Sequence, residues 1–210
     1  MGNILTIGPI RELDFLLNFF GIDIDVTDNI ADIGSGSSNF PETLVSKGVL
    51  NVYAVDRTYI DIDYFSKIVK TSIDVLLSSL GKNRHLLEEY EIDNINRRIL
   101  LLRDSPRIVF SRNKVINLTD INDLPENFFD KLFLSNMLLG VEDIGNFLLI
   151  LGSKLNQNGQ IFISEYSGNV DKINYLKSLI SQGVEYKGEY DGVSYFIIKK
   201  IFFGLKDKKD

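Results

Sequence analysis

The chain has 210 residues, with 23 Lys and Arg against 29 Asp and Glu, a net charge of −6, 44% apolar residues and 25% charged ones. That length and balance suit one globular domain over 1–210 with a full core, and they exclude a disordered regulator, a collagen-like fibre and a disulfide-stapled mini-protein. With no Cys and a single His, thiolate zinc sites, iron–sulfur clusters, cysteine nucleophiles and His-rich metal centres are excluded, and no metal is expected.

No apolar run approaches the roughly 20 residues of a membrane helix. The N-terminus lacks a basic start and meets an acid by Glu12. A cytoplasmic chain without membrane contact is therefore expected.

Pro9 to Phe20 reads as a first helix. Leu13, Leu16, Leu17 and Phe20 recur at helical spacing, Pro9 suits the start, and Gly21 ends it. Asn29 to Ile33 is a short apolar strand that runs into Gly34-Ser35-Gly36-Ser37-Ser38. A helix from Phe40 to Lys47 follows, closed by Gly48. Val49 to Val55 is a second strand, ended by Asp56. Strand, glycine loop, helix and strand make a βαβ unit and imply parallel pairing.

Asp61 to about Arg103 reads as helical throughout. Phe65, Val69, Ile73, Leu76 and Leu80 form one stripe that Gly81 ends. Leu86, Leu87 and Tyr90 suggest a shorter second segment, and Ile92, Ile95, Ile99 and Leu102 a third. One crossover helix would suffice, so about 61–105 reads as a helical insertion or lid.

Alternation then resumes. Lys114 to Leu118 and Lys131 to Ser135 are predicted as the third and fourth strands. A helix is predicted over Glu142–Leu155 and a fifth strand over Gln160–Glu165. Another helix follows from Val170 to Ser181, ended by Gly183. Val184–Tyr190 and Val193–Ile201 flank Asp191-Gly192, a hairpin signal. Residues 206–210 form a charged tail.

The glycine loop carries the chemistry. A loop between a parallel strand and a helix offers backbone N–H groups, and glycines let a ligand approach closely. Asp56 closes the second strand, where a carboxylate can take both hydroxyls of a ribose. A dinucleotide site would want G-x-G-x-x-G, but position 39 is Asn. Asp32, just before the loop, repels a pyrophosphate and attracts an ammonium. An adenosine ligand with an amino-acid arm satisfies both acids.

At this point the chain resembles the class I S-adenosylmethionine (SAM)-dependent methyltransferases. Ile30-Ala31-Asp32-Ile33-Gly34-Ser35-Gly36 is similar to their first motif, and Asp56 falls on their ribose-binding acid. Thr119 to Pro125, Phe129 to Asn136 (which includes Ser135) and Leu155 to Ile163 resemble their later motifs in order, and the C-terminal hairpin resembles theirs. The resemblance covers about residues 29–200. It implies an α/β, Rossmann-like, seven-stranded, mostly parallel sheet with helices on both faces and an antiparallel C-terminal hairpin.

The resemblance also implies a site. Gly34, Ser35 and Gly36 would pass the methionine portion of SAM, and Asp32 would hold its ammonium. Asp56 would bind the ribose, with Arg57 beside the adenine. Asp120 would accept from the adenine amino group, with the Ile121 N–H at the ring and Ser135 at the end of the fourth strand. Ser38 stands where the family often has a third glycine, and Arg57 where it often has an apolar residue. No His pair follows Asn136, and no Asn-Pro-Pro-Tyr motif occurs.

The activity implied is in-line methyl transfer from SAM to an acceptor, with alignment doing most of the catalysis and no fixed catalytic residue evident. A small-molecule acceptor is expected. RNA and protein are the alternative acceptors, RNA through Arg97, Arg98, Arg103, Arg107 and Arg112, which with Lys114 outnumber Asp104 within eighteen residues. A solvated or ion-paired face is the plainer reading of that run. A non-catalytic methyltransferase-like module that binds a partner is the competing reading. A NAD-dependent dehydrogenase is disfavoured by Asp32 and by the lack of a helical Tyr-x-x-x-Lys pair. His85, Tyr59 and Tyr64 read more simply as a surface residue and packing aromatics, and Asn136 as either a substrate contact or a cap.

Overall fold

The computed structural model describes residues 13–111 and 114–204. Pro9, Ile10, Arg112 and the 206–210 tail lie outside the described residues.

Seven strands form one sheet: β1 (Asn29–Ile33), β2 (Asn51–Val55), β3 (Val115–Leu118), β4 (Phe129–Ser135), β5 (Leu155–Tyr166), β6 (Glu185–Tyr190) and β7 (Val193–Lys199). Their order is β3-β2-β1-β4-β5-β7-β6. The pairs from β3 through β5 are parallel, while β5–β7 and β6–β7 are antiparallel. This is the mostly parallel sheet and C-terminal hairpin read from the sequence.

Residues 30–33 of β1 and 132–135 of β4 are buried without a break because both sheet faces are covered. Residues alternate between the two layers. Ile30, Val52, Phe133 and Phe162 join one core. On that face lie α1 (Leu13–Phe20), α2 (Phe40–Ser46), α3 (Ile62–Asn83) and α4 (Glu89–Phe110), which contribute Leu16, Leu44, Phe65 and Leu102. Ala31, Ile33, Leu134 and Ile163 join the other core, with Leu148 and Leu176 from α5 (Ile144–Lys154) and α6 (Val170–Ser178). Each such side chain, fully buried, contributes about 1.5–3 kcal/mol.

The helical insertion is two long antiparallel helices rather than three segments. The ring of Phe65, early in α3, lies 5.9 Å from that of Phe110, at the end of α4. Gly81 does not end α3, and α4 runs past Arg103 through Pro106. Proline removes one helical hydrogen bond, but Leu102, Ser105 and Val109 are buried on both sides of it and hold the helix on course. The segment around Leu86 is a 3-10 turn, and α4 starts on a capping box between Glu88 and Glu91. Phe65, Val69, Ile99 and Leu102 are buried on the sheet. The base of the pair is therefore a core crossover, while residues 81–86 at its apex are exposed.

Strand β5 begins at Leu155, earlier than predicted. The Asn156-Gln157-Asn158-Gly159 stretch reads as a turn, and it is accommodated as an irregularity opposite Phe129–Lys131. Asp191 and Gly192 have φ of 49° and 70°, the positive pair of a type I′ hairpin turn. Among the described residues no helix is long and apolar enough to cross a membrane.

Candidate functional site

Parallel register brings the predicted residues to one edge. Ile33 pairs with both Val55 and Leu134, and Val55 pairs with Leu118. The next residues, Gly34, Asp56 and Thr119, therefore leave the sheet at one level, beside Ser135, the last residue of β4, which still pairs with Ser164. The chain leaves β1 toward β2 and leaves β4 toward β5, in opposite directions. The crevice between β1 and β4 is thus a topological switch point, where open α/β sheets bind ligands.

The glycine loop is tied down from the β2 side. Gly34 and Gly36 have φ of 70° and 51°, which glycine adopts without strain. The Gly34 and Ser35 N–H groups both donate to the Val55 carbonyl, at 2.8 and 3.1 Å. The Gly36 N–H donates to Asp56 Oδ2 at 2.9 Å. The Tyr59 hydroxyl donates to the Gly36 carbonyl. The expectation of N–H groups turned to a ligand does not hold for these three, because the tight turn aims them back at β2.

Asp56 is half-buried and already engaged. Its Oδ1 accepts from the Thr58 N–H at 2.9 Å and the Thr58 hydroxyl at 2.6 Å. A carboxylate has about four acceptor positions, so one remains beside the Gly36 bond. One ribose hydroxyl can be taken without rearrangement, and a second requires exchange of a Thr58 bond. Asp32, in β1 just before the loop, is 1% exposed, and Ser35, within the loop, is fully buried.

The remaining predicted residues line the same edge. Asp120 is exposed, and its Oδ1 accepts from the Asn122 N–H and side-chain amide, each at 2.9 Å. That is the local turn a strand-end Asp commonly makes, and it leaves Oδ2 outside the turn. The segment after it is fastened by buried Lys154, which donates to the Leu124 carbonyl at 2.9 Å and pairs with Glu126. Ile121 is half-buried and Arg57 exposed. Ser135 is buried, its hydroxyl 3.0 Å from that of Ser164. His85 and Tyr64 are exposed, and Tyr59 packs its ring against Phe65.

Sequence reading missed the wall across the crevice. Asn136, at φ 50°, turns the chain off β4. Its N–H donates to the Ser164 carbonyl and its Oδ1 accepts from the Tyr166 N–H, both at 2.8 Å. Leu138 N–H donates to Glu165 Oε2 at 2.9 Å, and Asn169 donates to the other oxygen. Between these pins stands Met137, whose side chain lies against Gly34; a Cβ built on Gly34 would come 2.7 Å from Met137 Cγ. Burial pushes the Glu165 carboxyl above its ordinary value, against the pull of the Leu138 N–H and the Asn169 amide. An acid two residues past the apolar run Ile161–Ile163 was the one available signal for that residue.

Among the described residues, Arg97, Arg103 and Arg107 are exposed on α4 and Arg98 is half-buried.

No protein-family model and no curated protein matches the sequence. Solved structures do. One assigned as a SAM-dependent methyltransferase of Methanococcus maripaludis is 13% identical, with 93% of this chain and 86% of that one covered and a TM-score of 0.53. One assigned as a type 11 methyltransferase of Sulfolobus solfataricus is 14% identical, covering 89% and 90%, with a TM-score of 0.51. A SAM-dependent methyltransferase of Mesorhizobium loti is 18% identical over 74% of this chain, with a TM-score of 0.43, and the present chain spans 54% of its length. The chain thus has the Rossmann-like fold of the class I SAM-dependent methyltransferases.

Proposed function

We propose that the chain is a SAM-dependent methyltransferase acting on a small-molecule acceptor. The observation that carries this reading is the tied loop at the switch point: Gly34 and Ser35 bonded to the Val55 carbonyl, Gly36 bonded to Asp56, and Asp32 buried in the strand that enters the loop.

The residues present fit such a ligand. Gly34 and Gly36 stand at positive φ where a backbone must be approached closely. Asp32 is the counter-charge for an ammonium, and the free acceptor position on Asp56 suits a ribose hydroxyl. Asp120 Oδ2 accepts from an adenine amino group, and the Arg57 guanidinium is available to stack on the base. When bound, SAM supplies a methyl group on a sulfonium, an electrophile that needs alignment more than activation.

Asp32, Asp56 and Asp120 would hold SAM by its ammonium, ribose and base, and the chemistry it would supply is that transferable methyl group. The chain's part is to hold both partners in line and to exclude water. The α3–α4 pair, which follows directly on Asp56 and the 3-10 turn Arg57–Ile60, is the segment we assign to covering the acceptor. No residue is assigned as a base.

A second reading has an observation of its own. Three loop N–H groups are consumed within the protein and Met137 lies on Gly34, as a non-catalytic module that binds a partner would allow. Methyl-labelled SAM incubated with the protein and separated extracts of small molecules, RNA and protein distinguishes these. Label in the small-molecule fraction supports the proposal. Label in RNA alone replaces the acceptor and implicates the α4 arginines. Cofactor binding with no label transferred to any fraction favours the module.

A further inference from the structure

We propose that Met137 is a side-chain gate that controls entry of the ligand's amino-acid arm into the crevice between β1 and β4. The inference rests on the cofactor reading above and names the residue that governs one half of that ligand's site.

Three observations carry it. First, Met137 occupies the switch-point crevice itself. It packs so closely on Gly34 that a Cβ there would come 2.7 Å from Met137 Cγ, and the side chain would have to move. An arm whose ammonium is drawn toward Asp32 must pass the loop that begins with Gly34. Second, the backbone on both sides of Met137 is fixed to β5. Asn136 is held by the Ser164 carbonyl and the Tyr166 N–H, and Leu138 by the fully buried Glu165. The loop cannot retreat as a whole without breaking these bonds. Third, the residue between the pins is only half-buried and is methionine, an unbranched side chain with three rotatable bonds. It can swing aside while its backbone stays. A β-branched residue at the same place would be stiff.

The gate acts on one half of the ligand. The ribose end meets Asp56 and the base end Asp120, on the β2 and β3 side of the loop. Met137 comes from β4, on the opposite side. A ligand with adenosine but no amino-acid arm therefore leaves Met137 where it is. Glu165 is a positioning residue here: it holds the gate's frame and does not meet the ligand.

The test compares S-adenosylhomocysteine, which carries the arm, with 5′-methylthioadenosine, which lacks it. Dissociation constants are measured by calorimetry for wild type, Met137→Ala, Met137→Leu and Met137→Phe. A side chain forced off its preferred rotamer costs about 0.5–1.5 kcal/mol, so Met137→Ala is expected to tighten S-adenosylhomocysteine about two- to tenfold. Met137→Phe is expected to weaken it by at least as much. Methylthioadenosine should stay within about twofold throughout. Met137→Leu keeps the apolar volume and serves if the Ala variant folds poorly; its stiffer side chain is expected to weaken only the armed ligand. Equal changes for both ligands, or none for either, overturn the gate while the cofactor reading stands. A wild-type protein that binds neither ligand overturns the cofactor reading before any substitution is made.

Discussion

Asp56 and Gly36 are joined by a hydrogen bond of 2.9 Å from the glycine N–H to Oδ2, twenty residues apart in the chain. The acid that closes β2 thus has two functions. It shapes the glycine loop, and under the proposed function it would offer what remains of its acceptor capacity to a ribose. The loop is preorganised by the residue that would bind the ribose.

Removal of that carboxylate should therefore be felt without any ligand. Asp56→Ala leaves the N–H groups of Gly36 and Thr58 without their acceptor, at a cost of about 1–3 kcal/mol. Asp56→Asn keeps one acceptor oxygen and should lose less. Urea unfolding of the free protein measures both. Unchanged midpoints in both variants would mean that the loop does not depend on Asp56.

Gly34→Ala meets two separate penalties. Its φ of 70° costs a residue with a Cβ about 1–2 kcal/mol, and the new Cβ collides with Met137. Met137→Ala relieves the collision and leaves the backbone strain. The double variant should be less destabilised than the sum of the singles by at least about 0.5 kcal/mol. Strict additivity in a double-mutant cycle would place Met137 away from Gly34.

Glu165 gives stability a pH dependence of definite sign. Burial raises its carboxyl above the usual 4.5, so the folded state binds that proton more tightly than the unfolded chain does. Stability is then fully present below the usual carboxyl value and is lost as pH rises through the raised one. Glu165→Gln stays neutral and lacks this loss. The stability of wild type minus that of the variant should fall as pH rises above the ordinary carboxyl value of 4.5. A constant difference in urea midpoints would show that Glu165 titrates normally.

The strands, the position of the glycine loop and the closing hairpin were legible because they rest on short-range signals: glycines at a strand end, acids at fixed distances, Asp-Gly between alternating runs. The interior of the insertion was not. Gly81 and Pro106 are local breakers, and a residue-by-residue reading stops a helix at each. Packing of Leu76, Leu102 and Val109 on the sheet overrides them. In the site, position along the chain was readable and direction was not. The loop N–H groups turn toward Val55 and Asp56 rather than outward, and no pattern in the sequence tells that. Met137 and Glu165 were missed for a related reason. Their roles come from β4 and β5 lying side by side, a relation between residues 137 and 165 that no local spacing encodes.

The most direct measurement is a calorimetric titration of the wild-type chain with S-adenosylhomocysteine, run beside NADH and repeated on Asp56→Ala. Binding of S-adenosylhomocysteine at about micromolar affinity, lost in the variant and absent for NADH, is the expected result, because Asp32 attracts an ammonium and repels a pyrophosphate. No heat from S-adenosylhomocysteine, or saturable binding of NADH in its place, would contradict the assignment of this crevice to SAM.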